Sequence, residues 1–141
     1  HDNYHTGYIC DAILDYNEHT GNEEFMAAYH TGIEYYRDYL FLKDGTPKWM
    51  NNAVYPLDVH GSAQGILSFI KASKFDESYY DFAKVIADWA IQHMQHPKKG
   101  YFYYQKNRYF KTPFTLMRWS NGWMARALSE LVYEESKRKA S

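Results

Sequence analysis

Three short segments of this chain hold most of its acid/base and hydrogen-bonding chemistry. They are Asp2–Asn3–Tyr4–His5, Tyr55–Pro56–Leu57–Asp58–Val59–His60 and Arg118–Trp119–Ser120–Asn121. Each leads into small residues (Gly7, Gly61–Ser62 and Gly122) at the head of an apolar-periodic stretch. Imidazole, carboxylate, phenol and guanidinium are the groups that proton transfer needs, provided their environments hold the pKa values apart. Asp58 is expected as a general acid/base, with His5, His60 or Tyr4 as proton abstractors. Arg118 and Asn121 would neutralise a carboxylate. Trp49, Tyr55, Trp119 and Trp123 offer faces on which sugar rings stack, and Asn3 joins them as a substrate-binding residue. Each has a plain alternative: Asp58, Asn121 and both histidines can satisfy backbone groups at helix starts, and Arg118 can pair with an acid.

The elements that must position these groups follow from hydrophobic spacing. Tyr8, Ile9, Ala12, Ile13 and Tyr16 recur 115 positions on as Trp123, Met124, Ala127, Leu128 and Leu131. Phe25, Tyr29, Ile33, Tyr36 and Leu40 recur 54 positions on as Tyr79, Ala83, Ala87, Ala90 and Met94. Helices are expected over Thr6–Glu18, Glu23–Leu42, Gly61–Ala72, Glu77–Gln95 and Asn121–Ser136, with Asn22 and Asp76 capping the second and fourth. An irregular stretch, Thr46–Val59, carries two prolines, and the alternating, Tyr- and Phe-rich run Gly100–Lys111 reads as a short β-hairpin. The first, third and fifth helices carry few charges in their first turns, which suits an inner ring. The second and fourth show Glu34, Arg37, Asp38, Lys84 and Asp88 on one side, which suits an outer ring facing water. The fold class expected is therefore all-α, a partial α/α toroid built of helical hairpins. Inner helices would begin at one face, so the three segments would converge and aim exposed N–H groups at a shared pocket.

Composition narrows the function classes. With 141 residues the chain makes one domain, 1–141, and its formal net charge of −1 points to neither nucleic acid nor an anionic membrane. Lys137–Arg138–Lys139 reads as a solvated tail. No apolar run approaches a membrane span, and Cys10 is the single cysteine, so the expectation is a cytoplasmic chain without an internal disulfide. No Cys pair, HExxH or Gly-rich phosphate loop occurs, and His93 and His96 have no further ligand nearby, so neither metal nor cofactor is expected. Aromatics make up 19% of the chain, an excess concentrated in the connections, where they suit a saccharide. The chain begins at His1 and holds about two and a half of the units, roughly 55 residues each, of which a closed ring would need six. It is expected to be the C-terminal part of a longer toroid.

Asn3–Tyr4–His5–Thr6–Gly7, Tyr55–Pro56–Leu57–Asp58–Val59–His60 and Met117–Arg118–Trp119–Ser120–Asn121–Gly122–Trp123 carry a family resemblance. Together they resemble the C-terminal half of bacterial six-hairpin α/α-toroid proteins associated with polysaccharide biosynthesis. Arg118-x-x-Asn121–Gly122–Trp123 is also similar to the sugar-lining segment of unsaturated glucuronyl and rhamnogalacturonyl hydrolases. The Tyr4–His5–Thr6 string is similar to one in the C-terminal domain of glucuronyl C5-epimerases. The resemblance implies a toroid and a uronate-containing oligo- or polysaccharide ligand. The chain lacks the early hairpins of that family, and no second catalytic carboxylate accompanies Asp58. Hydrolase and lyase or epimerase chemistry both stay open. The alternative is a non-catalytic helical-repeat module that oligomerises, a second copy completing the ring. A terpenoid-cyclase-like pocket is weaker, for want of an acidic cluster facing an apolar cavity.

Overall fold

The structure is a computed structural model and describes residues 1–112 and 114–140. Helices α1 (Asn3–Thr20) and α2 (Met26–Leu40) form one antiparallel hairpin, α3 (Val59–Ala72) and α4 (Ser78–Met94) a second, and α5 (Trp123–Ala140) stands alone. A π-helical turn, Met117–Gly122, leads into α5. Helix α3 packs against α1 on one side and α5 on the other, while α2 backs α1 and α4 backs α3. The inner layer is thus α1–α3–α5 and the outer layer α2–α4. This is a partial α/α toroid of helical hairpins.

Local chemistry explains the boundaries. Helix α1 starts earlier than its apolar stripe because Asp2 caps it, its Oδ1 accepting the His5 backbone N–H at 3.0 Å. It stops at Gly21, whose left-handed φ of 69° closes the last turn. Helix α2 starts later than expected: Asn22 Oδ1 accepts the Glu24 N–H in a separate turn, and no side chain caps Met26. Asp58 caps α3 through the His60 N–H at 2.9 Å.

Helix α3 carries a single charge, Lys71, and every other residue of it is buried, as a helix with neighbours on several sides requires. Phe69 in its last turn stacks on Tyr36 and Tyr79 and meets Phe41 and Phe82 edge-on. The small residues serve close approach. A Cβ on Gly61 would lie 2.8 Å from Asn3 Oδ1, and one on Gly7 2.7 Å from Gln64 Cγ.

The excursion after α4 turns back on itself, with the Asn107 N–H donating to Phe110 O and the Thr112 N–H to Gln105 O. It also pairs outside itself. Strand β2 (Gln105–Lys106) lies antiparallel to β1 (Leu57–Asp58), with Leu57 opposite Lys106. That pairing lashes the excursion to the head of α3.

Candidate functional site

The heads of the three inner helices meet around the imidazole of His60, which is fully buried. Trp119, from the π-helical turn, stacks on it at 4.1 Å between ring centroids and 10° between planes. Tyr4 from α1 and Trp123 from α5 stand edge-on to it at 5.1 and 4.8 Å. Its Nδ1 lies 3.3 Å from the Trp119 carbonyl oxygen, which can only accept, so Nδ1 carries the proton. Nε2 is then the acceptor for the Tyr8 hydroxyl. Burial holds the His60 pKa down, from 6.5 to about 4, so the ring is neutral at physiological pH.

Asp58 lies directly beneath, and both of its oxygens are engaged. Oδ1 accepts the His60 N–H, and Oδ2 accepts Gln105 Nε2 at 3.0 Å. Burial pushes its carboxyl above the usual range, against the opposing pull of hydrogen bonds from His60, Gln105 and Trp119. Its position is that of a capping and bracing group.

His5 is different. Its Nδ1 donates to Asp2 Oδ2 at 2.7 Å, which leaves Nε2 facing outward on a side chain 63% exposed. The ring sits 4.6 Å from Tyr4 and 6.0 Å from Tyr8, so it belongs to the same cluster. An imidazole aligned by a carboxylate, with its second nitrogen free, is the arrangement that proton transfer needs.

The remaining residues divide. Arg118 is exposed on the π-helical turn and, with Leu116, Met117 and Trp119, lines a cavity of ≈ 720 Å³ beside the cluster. Asn3 is buried, its Nδ2 donating to Leu40 O and its Oδ1 accepting the Tyr36 hydroxyl, so it ties α1 to α2. Asn121 accepts the Phe102 N–H and donates to Thr115 Oγ1, which pins the π-helical turn to the excursion. Trp49 sits in the 46–59 connection, where its carbonyl accepts the Asn3 N–H. Tyr55, 42% exposed, precedes a cis bond to Pro56. Among the described residues, neither of these two rings stacks on or meets edge-on a ring of the His60 cluster.

Below the cluster a groove of ≈ 250 Å³ runs between α1 and α5 over α3. Tyr8, Asp11 and Asp15 line one wall, Trp123 and Arg126 the other, and Gln64, Leu67 and Lys71 the floor. Tyr8, Asp11 and Arg126 are not among the site residues expected from the sequence, although a signal points to them. The 115-position offset that aligns Tyr8 with Trp123 also aligns Tyr4 with Trp119 and Asp11 with Arg126. Tyr4 and Trp119 meet at 5.5 Å, Tyr8 and Trp123 at 5.9 Å, and Asp11 and Arg126 share the groove. Among the described residues, no three His, Cys, Asp or Glu side chains gather as a metal site, and no helix is long and apolar enough to cross a membrane.

No protein-family model matches the chain, and no curated protein sequence matches it. Among solved structures it is similar to a glycoside hydrolase from family 105 of C. acetobutylicum ATCC 824, with 16% identity and a TM-score of 0.67. The likeness covers 90% of this chain and 38% of that one, so the chain spans well under half of that protein's length. At this identity the likeness is one of fold, and the fold it shares is the α/α toroid.

Proposed function

We propose that this chain is carbohydrate-active and takes a uronate-containing oligo- or polysaccharide at the heads of its inner helices. The observation that carries this reading is the convergence of Tyr4, Tyr8, Trp119 and Trp123 on the buried His60, beside a cavity open to Arg118. Aromatic edges and faces among hydroxyl and amide groups match a ligand with apolar C–H faces and a polar rim. The fold shared with a glycoside hydrolase supports the same reading.

Within it, His5 moves the proton at Nε2 while Asp2 holds its ring. His60 and Asp58 act as positioning residues, because every polar atom they own is bonded within the site. A pair of carboxylates flanking a glycosidic bond, as most glycosidases use, is not formed by Asp58, whose oxygens face Gln105 and the α3 backbone. This favours proton abstraction next to a carboxylate over acid-assisted hydrolysis.

Calorimetric titration with a panel of uronate oligosaccharides should give binding that falls about tenfold in Trp119→Ala. His5→Gln should keep the binding and lose turnover, read as the ultraviolet absorbance of an unsaturated uronate, which rises with a lyase and falls with a hydrolase. No heat with any acidic or neutral saccharide would end this reading.

One observation favours the non-catalytic alternative. An apolar groove of ≈ 640 Å³ between α1 and α2 includes Ile9, Ile13 and Tyr35, while Val132 and Tyr133 stand exposed on α5 at the opposite edge. An assembly module would use these edges. Sedimentation over a wide concentration range would then show self-association in a protein silent to every saccharide.

A further inference from the structure

We propose that the groove between α1 and α5 is a second saccharide subsite, and that Arg126 is the residue that reads the acid group of the sugar lodged there. The inference rests on the saccharide reading above and adds to it a place, a depth and a charge.

The charges of the groove are not evenly satisfied. Lys71 on the floor bonds Asp15 at 2.7 Å and approaches Asp11 at 3.7 Å. Asp11 also accepts Gln64 Nε2 at 3.1 Å. Arg126 opposite makes no ion pair among the described residues, and its guanidinium lies over the Trp123 ring at 5.3 Å. One wall therefore presents a carboxylate with acceptor capacity beyond the donors of the floor, and the other a cation with no ion-pair partner among the described residues. A ligand that brings one carboxylate and several hydroxyls completes both walls. Its carboxylate takes the planar fork of Arg126, and its hydroxyls donate to Asp11.

Depth sets the size of the ligand. Asp11 lies seven residues beyond Tyr4 on one helix, about 10 Å further along its axis. Tyr8 and Trp123 form the waist between the two levels. A single ring held at the head of α1 does not reach Arg126, so a ligand that engages both levels has at least two sugar units. Arg118 is a poorer reader of the acid: both arginines are exposed, but only Arg126 is set over a ring, and among the described residues no ring or carboxylate fixes the direction of Arg118.

The test pairs each uronate oligosaccharide (galacturonate, glucuronate and mannuronate types) with its methyl ester, which keeps the hydroxyls and removes the charge. Dissociation constants are measured for the wild-type chain, Arg126→Gln, Arg118→Gln and Asp11→Asn. The expected result is an acid-over-ester preference of about tenfold in the wild type. Arg126→Gln should abolish it with ester affinity unchanged, Arg118→Gln should keep it, and Asp11→Asn should weaken both forms alike. A preference that disappears in Arg118→Gln but survives Arg126→Gln overturns the inference and leaves the saccharide reading intact. Equal affinity of acid and ester for the wild type overturns the inference and the uronate specificity, while saccharide binding stands. Failure of every saccharide to bind overturns both.

Discussion

Helices α3 and α5 begin beside matching polar–glycine pairs, His60–Gly61 in the first turn of α3 and Asn121–Gly122 just ahead of α5, and end up in opposite surroundings. Every residue of α3 except Lys71 is buried, whereas α5 buries only Met124 and Ala127. The difference lies in their neighbours: α3 has helices on several sides, and α5 rests mainly on α3. It also divides the chemistry. The polar groups of α3 that reach the site, His60 and Gln64, are engaged with Tyr8, Trp119, Asp11 and Ser68. The groups with bonding capacity to spare, His5, Arg118 and Arg126, stand on α1, on the π-helical turn and on α5. The central helix holds the geometry while its flanks present the reactive atoms.

Three measurements sharpen or break this contrast. The largest effect should come from Phe69→Ala in the last turn of α3, which removes a fully buried ring from an aromatic stack and should cost about 3–5 kcal/mol in denaturant unfolding. The second effect depends on pH. The folded-state pKa of His60 lies below its unfolded value of 6.5, at about 4, so the unfolded chain binds the extra proton in that window. Stability should therefore fall as pH drops from 6.5 to 4, by about 3 kcal/mol in total. Asp11 and Asp58, whose carboxyls are held above the usual range, act in the opposite direction. The difference in acid dependence between the wild type and His60→Gln isolates the imidazole, and identical profiles would refute its burial as a neutral ring. The smallest effect is expected on α5. Val132 is 62% exposed, and Val132→Ala should change stability by less than about 0.5 kcal/mol. A cost comparable to that of Phe69→Ala would mean that α5 is covered in solution.

Periodicity made the five helices, their order and the convergence of their heads legible, because apolar spacing reports burial directly. Pairing between distant short segments was not legible. Strands of two residues have no period, and the contact of Leu57–Asp58 with Gln105–Lys106 is decided by where α3 and α4 bring the chain. The roles of Asp58, Asn3 and Asn121 were ambiguous for a related reason. A carboxylate or amide at a helix head can serve the backbone or a ligand, and only the position of the next unsatisfied N–H decides. At Asp58 that N–H belongs to His60, and at Asn121 to Phe102. The rim segment shows Asp2 beside His5, but their pairing follows only from Asp2 being the cap of α1, a position that also brings its second oxygen to the imidazole.

The bond from Gln105 to Asp58 and that from the Phe102 backbone to Asn121 attach one excursion to the segments that lead into two inner helices. Any displacement of residues 101–112 pulls simultaneously on the cap of α3 and on the turn that carries Trp119. The excursion thereby acts as a tensioning cord for the fully buried ring of His60.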